Sequence, residues 1–251
     1  MKLFLSVNSL IMITGPVKEH SGMLFSADNK LADVIQVHPP LLSVLSHFGI
    51  RLGFGDGTVE EVCLKYGINT RFFLTVCNVY AFGHYRPEED DILSIGLEEL
   101  IGYLTASHGY YRDEELPEIT EHLERMGECC DGRHMKIIKT FFDEYRREVL
   151  NHFDYEEYTV FPYISGLLKG NHMDGYDINR YEDNHDNIEE KLNDLKNIVI
   201  KYLPETCASK ERNRMLYRIF LFENDLNRHA LIEEKILIPY VRQIEKINEK
   251  R

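Results

Sequence analysis

One motif occurs twice in this chain and restricts the fold more than any other feature. Residues 152–163 and 229–240 both read H-x-x-x-E-E-x-x-x-[FI]-P-Y, an internal repeat offset by 77 positions. Forty-four residues before His152 stands His108, and forty-four before His229 stands His185. The pattern of a histidine, 44 positions, then H-x-x-x-E is therefore duplicated. On a helix, positions i and i+4 lie about 40° apart in azimuth and ~6 Å apart in rise. His152 then shares a face with Glu156, and His229 with Glu233. Glu157 and Glu234 are swung about 140° from those histidines and are expected to face solvent.

The 44-residue interval sets the topology. Two antiparallel limbs of about 19 residues joined by a turn of about five bring such positions back to one level. Turn-forming residues stand where this requires: Gly127 to Gly132, Gly170 to Gly175, and Pro204 to Ser209. The expected fold is all-α, an up-down-up-down four-helix bundle over residues 92–251. One histidine from each helix lies at a common level, with the glutamates of the second and fourth helices beside them. Apolar stripes lead to or from each histidine: Leu97, Leu100, Ile101 and Leu104; Ile137, Ile138, Phe141, Phe142, Tyr145 and Val149; Leu192, Leu195, Ile198, Val199 and Tyr202; Leu216, Ile219, Phe220, Phe222 and Leu226. Pro162 and Pro239 are expected to kink or end their helices.

Four histidines and two carboxylates converging in an apolar bundle point to metal. Burying two glutamates without a cation costs several kcal/mol each or forces protonation. A single zinc uses four ligands, whereas His108, His152, Glu156, His185, His229 and Glu233 suit two metals bridged by carboxylates. Nitrogen-rich ligation favours redox-active iron over magnesium or calcium. Zinc and manganese stay open at this stage. The expected cofactor is a pair of non-haem, carboxylate-bridged iron ions, with a coordination position left for a small diatomic, water or an oxo group.

The other histidines have no place in this set. Along continuous helices His122 lies roughly 21 Å from His108, and His134 roughly 27 Å from His152. His20, His38, His47, His84 and His172 lack partners at ligand spacing. Tyr110 and Tyr111, next to His108, are read as core residues that could also line a ligand pocket.

The first ninety residues have a different character. Leu3 to Thr14 is apolar but interrupted by Ser6, Asn8 and Ser9, and makes a poor signal peptide. Met23 opens a more convincing start, so residues 1–25 are read as an extension and residues 1–22 as dispensable. Residues 26–86 read as a small helical domain. Ser26 or Asp28 can cap its first helix and Pro40 opens the second. Thr58 with Glu61 forms a capping-box pattern before the third, and Asn69 or Thr70 starts the fourth. Its glycine-rich turn lacks the G-K-[ST] ending of a phosphate loop. Pro87 to Asp91 reads as a linker.

Charge and cysteine content exclude some partners. Asp and Glu number 42 against 29 Lys and Arg, a net charge of −13, which disfavours nucleic acid and anionic membranes. No run approaches the roughly 20 apolar residues of a membrane span. The five cysteines, Cys129 and Cys130 included, suggest reduced thiols in a cytoplasmic protein and no disulfide framework. The oligomeric state is not legible.

The duplicated His and H-x-x-x-E pattern resembles the hemerythrin-like (HHE) cation-binding domain over about residues 95–245. Leu31 to Ile35, the Pro40 helix, Phe48 to Ile50 and Gly55 to Cys63 look like the small N-terminal domain of the repair-of-iron-centres proteins. Those are di-iron proteins linked to mending iron–sulfur clusters damaged by nitric oxide or oxidants. The resemblance implies His108, His152, His185 and His229 as terminal ligands and Glu156 and Glu233 as bridges. It also implies damaged iron–sulfur proteins as partners. One departure stands out: the family's Cys-Cys pair after the Gly-Ile segment is missing, the stretch here being Gly49 to Gly55. A hemerythrin-like module that reversibly binds dioxygen or nitric oxide is the alternative, and a metal store or structural zinc bundle a third.

Overall fold

The computed structural model describes residues 24–128, 130–170, 176–183, 189–207 and 209–248. The segment read as an extension falls outside these residues apart from its last two. Of those, Phe25 belongs to the body: its N–H donates to Asn78 Oδ1 at 2.8 Å and its ring packs on Phe82.

Four short helices come first: α1 (Leu31–Val37), α2 (Leu41–His47), α3 (Val59–Tyr66) and α4 (Thr70–Ala81). Thr58 and Glu61 form the full capping box of α3, Gly67 closes it in the left-handed conformation at φ 68°, and the Asn69 side chain caps α4. The start of α1 differs from expectation. Its N-cap is Lys30 with no side-chain cap, and the Ser26 backbone N–H donates to Asn29 Oδ1. The expected linker is partly helical, α5 (Glu89–Leu93). Three acidic residues in its first turn suit the positive end of a helix, and Arg71 pairs with Asp91 at 2.6 Å.

The rest is a helical bundle. Helix α6 runs over 97–127, α7 over 132–168, α8 over Ile178–Asp183, α9 over 189–202 and α10 over 209–248. Helix α6 packs on α7, α7 on α9 and α9 on α10, the short α8 lies against the end of α10, and α10 closes the circle against α6. No helix among the described residues is long and apolar enough to cross a membrane.

Pro162 and Pro239 do not end their helices. Five-residue π-helical turns occur at Tyr111–Glu115, Glu156–Val160, Ile198–Tyr202 and Glu233–Leu237, and a proline follows the first residue of each by six positions. A proline ring collides with the carbonyl four residues earlier and offers no N–H. Widening the preceding turn relieves both problems, because the N–H just before the proline reaches back five residues. The N–H of Leu116 bonds Tyr111 O, that of Phe161 bonds Glu156 O, and that of Ile238 bonds Glu233 O. Three helices thus continue, and the wide turns fall at the level of the repeated motif, as π-turns often do at functional sites.

The core is divided at that same level. One apolar cluster joins α1–α4 to one half of the bundle, through Leu104 on α6, Val160 on α7 and Ile232 on α10. The second fills the other half, from Tyr111 on α6 to Phe153 on α7 and Phe222 on α10. Between them lies a polar layer holding His108, Glu156, His229 and Glu233. The stripes are narrower than expected: Ile137, Phe141, Tyr202 and Phe220 are exposed. Adjacent helical positions differ by about 100°, so one of each neighbouring apolar pair must turn outward.

The two connections at the far end of the bundle are tied together. Cys130, between α6 and α7, is disulfide-bonded to Cys207, between α9 and α10. This corrects the expectation of free thiols. The two cysteines are 77 residues apart, the offset of the internal repeat. They are equivalent positions that the near-twofold bundle sets side by side.

A candidate metal centre

His108, Glu156, His229 and Glu233 each present a ligand atom, and these atoms all lie within 4.8 Å of one another. All four are buried, Glu156 at 0 % exposure and Glu233 at 1 %. His108 Nε2 is 3.0 Å from Glu156 Oε2, and His229 Nε2 is 3.0 Å from Glu233 Oε1. His152 joins from α7, its Nε2 3.2 Å from Glu156 Oε1. His185 lies outside the described residues, so five of the six expected residues are seen together.

The far nitrogens of two rings fix their tautomers. Ser107 Oγ–H donates to Leu104 O at 2.7 Å, and its single proton is then used. At 2.9 Å from His229 Nδ1 it can only accept, so Nδ1 carries the proton. His108 Nδ1 faces Glu157 Oε1 at 3.0 Å, and a carboxylate likewise only accepts. On neutral rings each Nε2 is then left with a lone pair, and the two Nε2 atoms face each other across 3.2 Å. Two such lone pairs and two carboxylates aimed at one another repel unless a proton or a metal cation lies among them. Burial opposes charge on His108, but hydrogen bonds to Glu156 and Glu157 and the charges of Glu156 and Glu233 outweigh it, and its pKa rises to about 9. Among the described residues, the buried Glu156 Oε2 has no hydrogen-bond partner apart from the contact with His108 Nε2 at 3.0 Å. The donor set fits a metal ion on all these counts.

Glu157 is not the solvated residue expected. Within the π-turn beginning at Glu156 its Oε1 accepts from His108 Nδ1 at 3.0 Å, while Arg112 approaches the same oxygen at 3.4 Å. The bond to His108 depresses the Glu157 pKa. Glu234, its repeat counterpart, does face solvent. Removing the partner that orients a metal-bound histidine typically costs 10–100-fold in affinity. Glu157→Gln is expected to weaken metal binding by about tenfold, measured by competition with a chelator, with helix content unchanged.

Two further groups escaped the sequence reading. Tyr181 on α8 donates its O–H to Glu156 Oε1 at 2.6 Å, and its position four residues before His185 is the only hint of it. His47 on α2 is buried at the seam with the bundle, Nδ1 3.3 Å from Tyr103 OH and Nε2 3.7 Å from Asp225 Oδ2. Ser43 and Tyr80 hydroxyls donate to Asp225 Oδ1. No ligand spacing marks His47, because its partners come from distant helices.

Burial lowers the His47 pKa to about 4, against the pull of Asp225 and with a small push from His229 and His108. The unfolded chain takes up a proton near pH 6.5, which the folded chain resists until about pH 4. Stability is therefore full above pH 6.5 and falls as pH drops toward 4, by on the order of 3 kcal/mol. Denaturant titrations of wild type and His47→Phe across that window should differ in slope, the variant losing less stability on acidification.

Residues 99–241, more than half of the chain, match the hemerythrin HHE cation binding domain. The chain belongs to that family. It is also 21 % identical over 142 residues to the iron-sulfur cluster repair protein ScdA of Staphylococcus haemolyticus (strain JCSC1435), a match covering 55 % of this chain and 64 % of that relative.

Proposed function

We propose that this protein holds a non-haem di-iron centre and serves in repair of iron–sulfur clusters under nitrosative or oxidative stress. His108, His152, His185 and His229 would be terminal ligands, and Glu156 and Glu233 would bridge. The observation that carries the reading is the pair of histidine Nε2 atoms facing each other at 3.2 Å between buried carboxylates. When bound, the irons supply redox chemistry and a site for a diatomic ligand. The chain's own residues fix the ligand tautomers through Ser107 and Glu157, keep water out with the Phe153 and Phe161 rings stacked along His108, and hold Glu156 with Tyr181. Damaged iron–sulfur proteins would be the partners, in the cytoplasm. Glutathione keeps thiols reduced there, so the Cys130–Cys207 bond would belong to the oxidatively stressed cell.

The missing Cys-Cys pair between Gly49 and Gly55 favours a second reading, a module that reversibly binds dioxygen or nitric oxide. One experiment separates the two. Iron-loaded protein is incubated with a cluster enzyme inactivated by nitric oxide, and enzyme activity and retained iron are followed. Repair predicts recovery with iron leaving the protein. Retained iron, no recovery and a reversible dioxygen adduct would establish the binding module instead.

A further inference from the structure

Three buried or half-buried tyrosines, Tyr111, Tyr110 and Tyr80, gather on one side of the cluster of ligand residues, between it and the seam with α2. Tyr111 is fully buried, its ring edge-on to His229 with centroids 5.8 Å apart. Tyr110 follows at 6.0 Å from Tyr111. Its hydroxyl donates to Glu115 Oε1 at 2.5 Å, and Arg218 Nε lies 3.1 Å from the other Glu115 oxygen. Tyr110, Tyr80, Glu115 and Arg218 line a cavity of about 440 Å³ that opens to solvent between α2 and α10, with the exposed ring of Tyr217 at its edge. An unbroken run of rings thus leads from a candidate ligand histidine to a solvent-accessible cavity, and its last phenol has a carboxylate waiting for its proton.

We propose that Tyr111 and Tyr110 form an electron relay from the metal centre to this cavity, draining oxidising equivalents that hydrogen peroxide leaves there. The inference rests on the reading of the cluster as an iron centre. Each event takes one electron from Tyr110 through the Tyr111 ring toward His229, while the Tyr110 O–H proton passes to Glu115 Oε1 and a neutral phenoxyl radical remains. A small one-electron reductant of the ascorbate class entering the cavity returns the electron, and Glu115 returns the proton. Two events reduce one hydrogen peroxide to two waters. The two electrons and two protons come in sum from two molecules of reductant, each of which leaves as its radical.

The test is freeze-quench electron paramagnetic resonance on the full, iron-loaded chain mixed with hydrogen peroxide and no reductant, with iron content measured on each sample. Wild type is expected to show a tyrosyl signal. Tyr110→Phe should reduce it at least tenfold, Glu115→Gln should slow its appearance, and Tyr202→Phe, at an exposed distant site, should leave it unchanged. Ascorbate added before quenching should abolish it in wild type. Iron-replete wild type without a tyrosyl signal overturns the relay alone. So does a signal that survives Tyr110→Phe and Tyr111→Phe but disappears in Tyr181→Phe. A chain that takes up no iron overturns the relay together with the function it rests on.

Discussion

A Glu156→Ala/Glu233→Ala double variant is expected to keep its helical content and retain less than a tenth of the iron bound by wild type. Both carboxylates lie within the cluster of ligand atoms and are almost wholly buried. Each would serve two metals as a bridge, so removing both should release the irons together. A second result makes this test specific. Burying an ionised carboxylate costs several kcal/mol unless a cation compensates it. The metal-free double variant should therefore unfold at a higher denaturant concentration than metal-free wild type. Loss of iron with this gain in apo stability marks carboxylates held in place for metal. Loss of both iron and stability would make them ordinary structural groups.

The second large effect concerns the disulfide between Cys130 and Cys207. Closing a loop of 77 residues lowers the entropy of the unfolded chain enough to stabilise the fold by about 4–5 kcal/mol. Reduction, or Cys130→Ser, is expected to lower the melting temperature by roughly 10–15 °C in a protein of this size. Calorimetry of oxidised and reduced protein checks this. The bond sits at the far end of the bundle from α1–α4, 22 residues along the chain from His108. Iron content should thus be the same in both forms at 25 °C. A melting temperature unmoved by reduction would mean that the two turns are held together without the bond.

Much of this architecture is written in arithmetic. The 44-residue interval and the 77-residue offset predict helical hairpins and the level at which His108, His152 and His229 meet. They do so because helix rise is constant and turns are short. What the interval cannot register is a local change of helix type. The π-turns at Glu156 and Glu233 insert an extra residue into a turn, and of the two glutamates that follow only Glu157 meets a histidine across the bundle, His108, while Glu234 stays in water. The prolines at 162 and 239 were the available signal, and they mark widened turns that continue as helix. The disulfide was also within reach of the same arithmetic, since Cys130 and Cys207 share the 77-residue offset of the motif. His47, Tyr103 and Asp225 carry no such signature. They meet only because α2 packs on α6 and α4 on α10, and no periodicity along the chain encodes that meeting.

On the function proposed, the polar layer between the two halves of the core holds two irons. Metal analysis of protein purified without oxygen, together with its optical spectrum, tests it most directly. Two irons per chain, with a charge-transfer absorption that appears on exposure to dioxygen, is the predicted result. One zinc per chain and a featureless spectrum would contradict it.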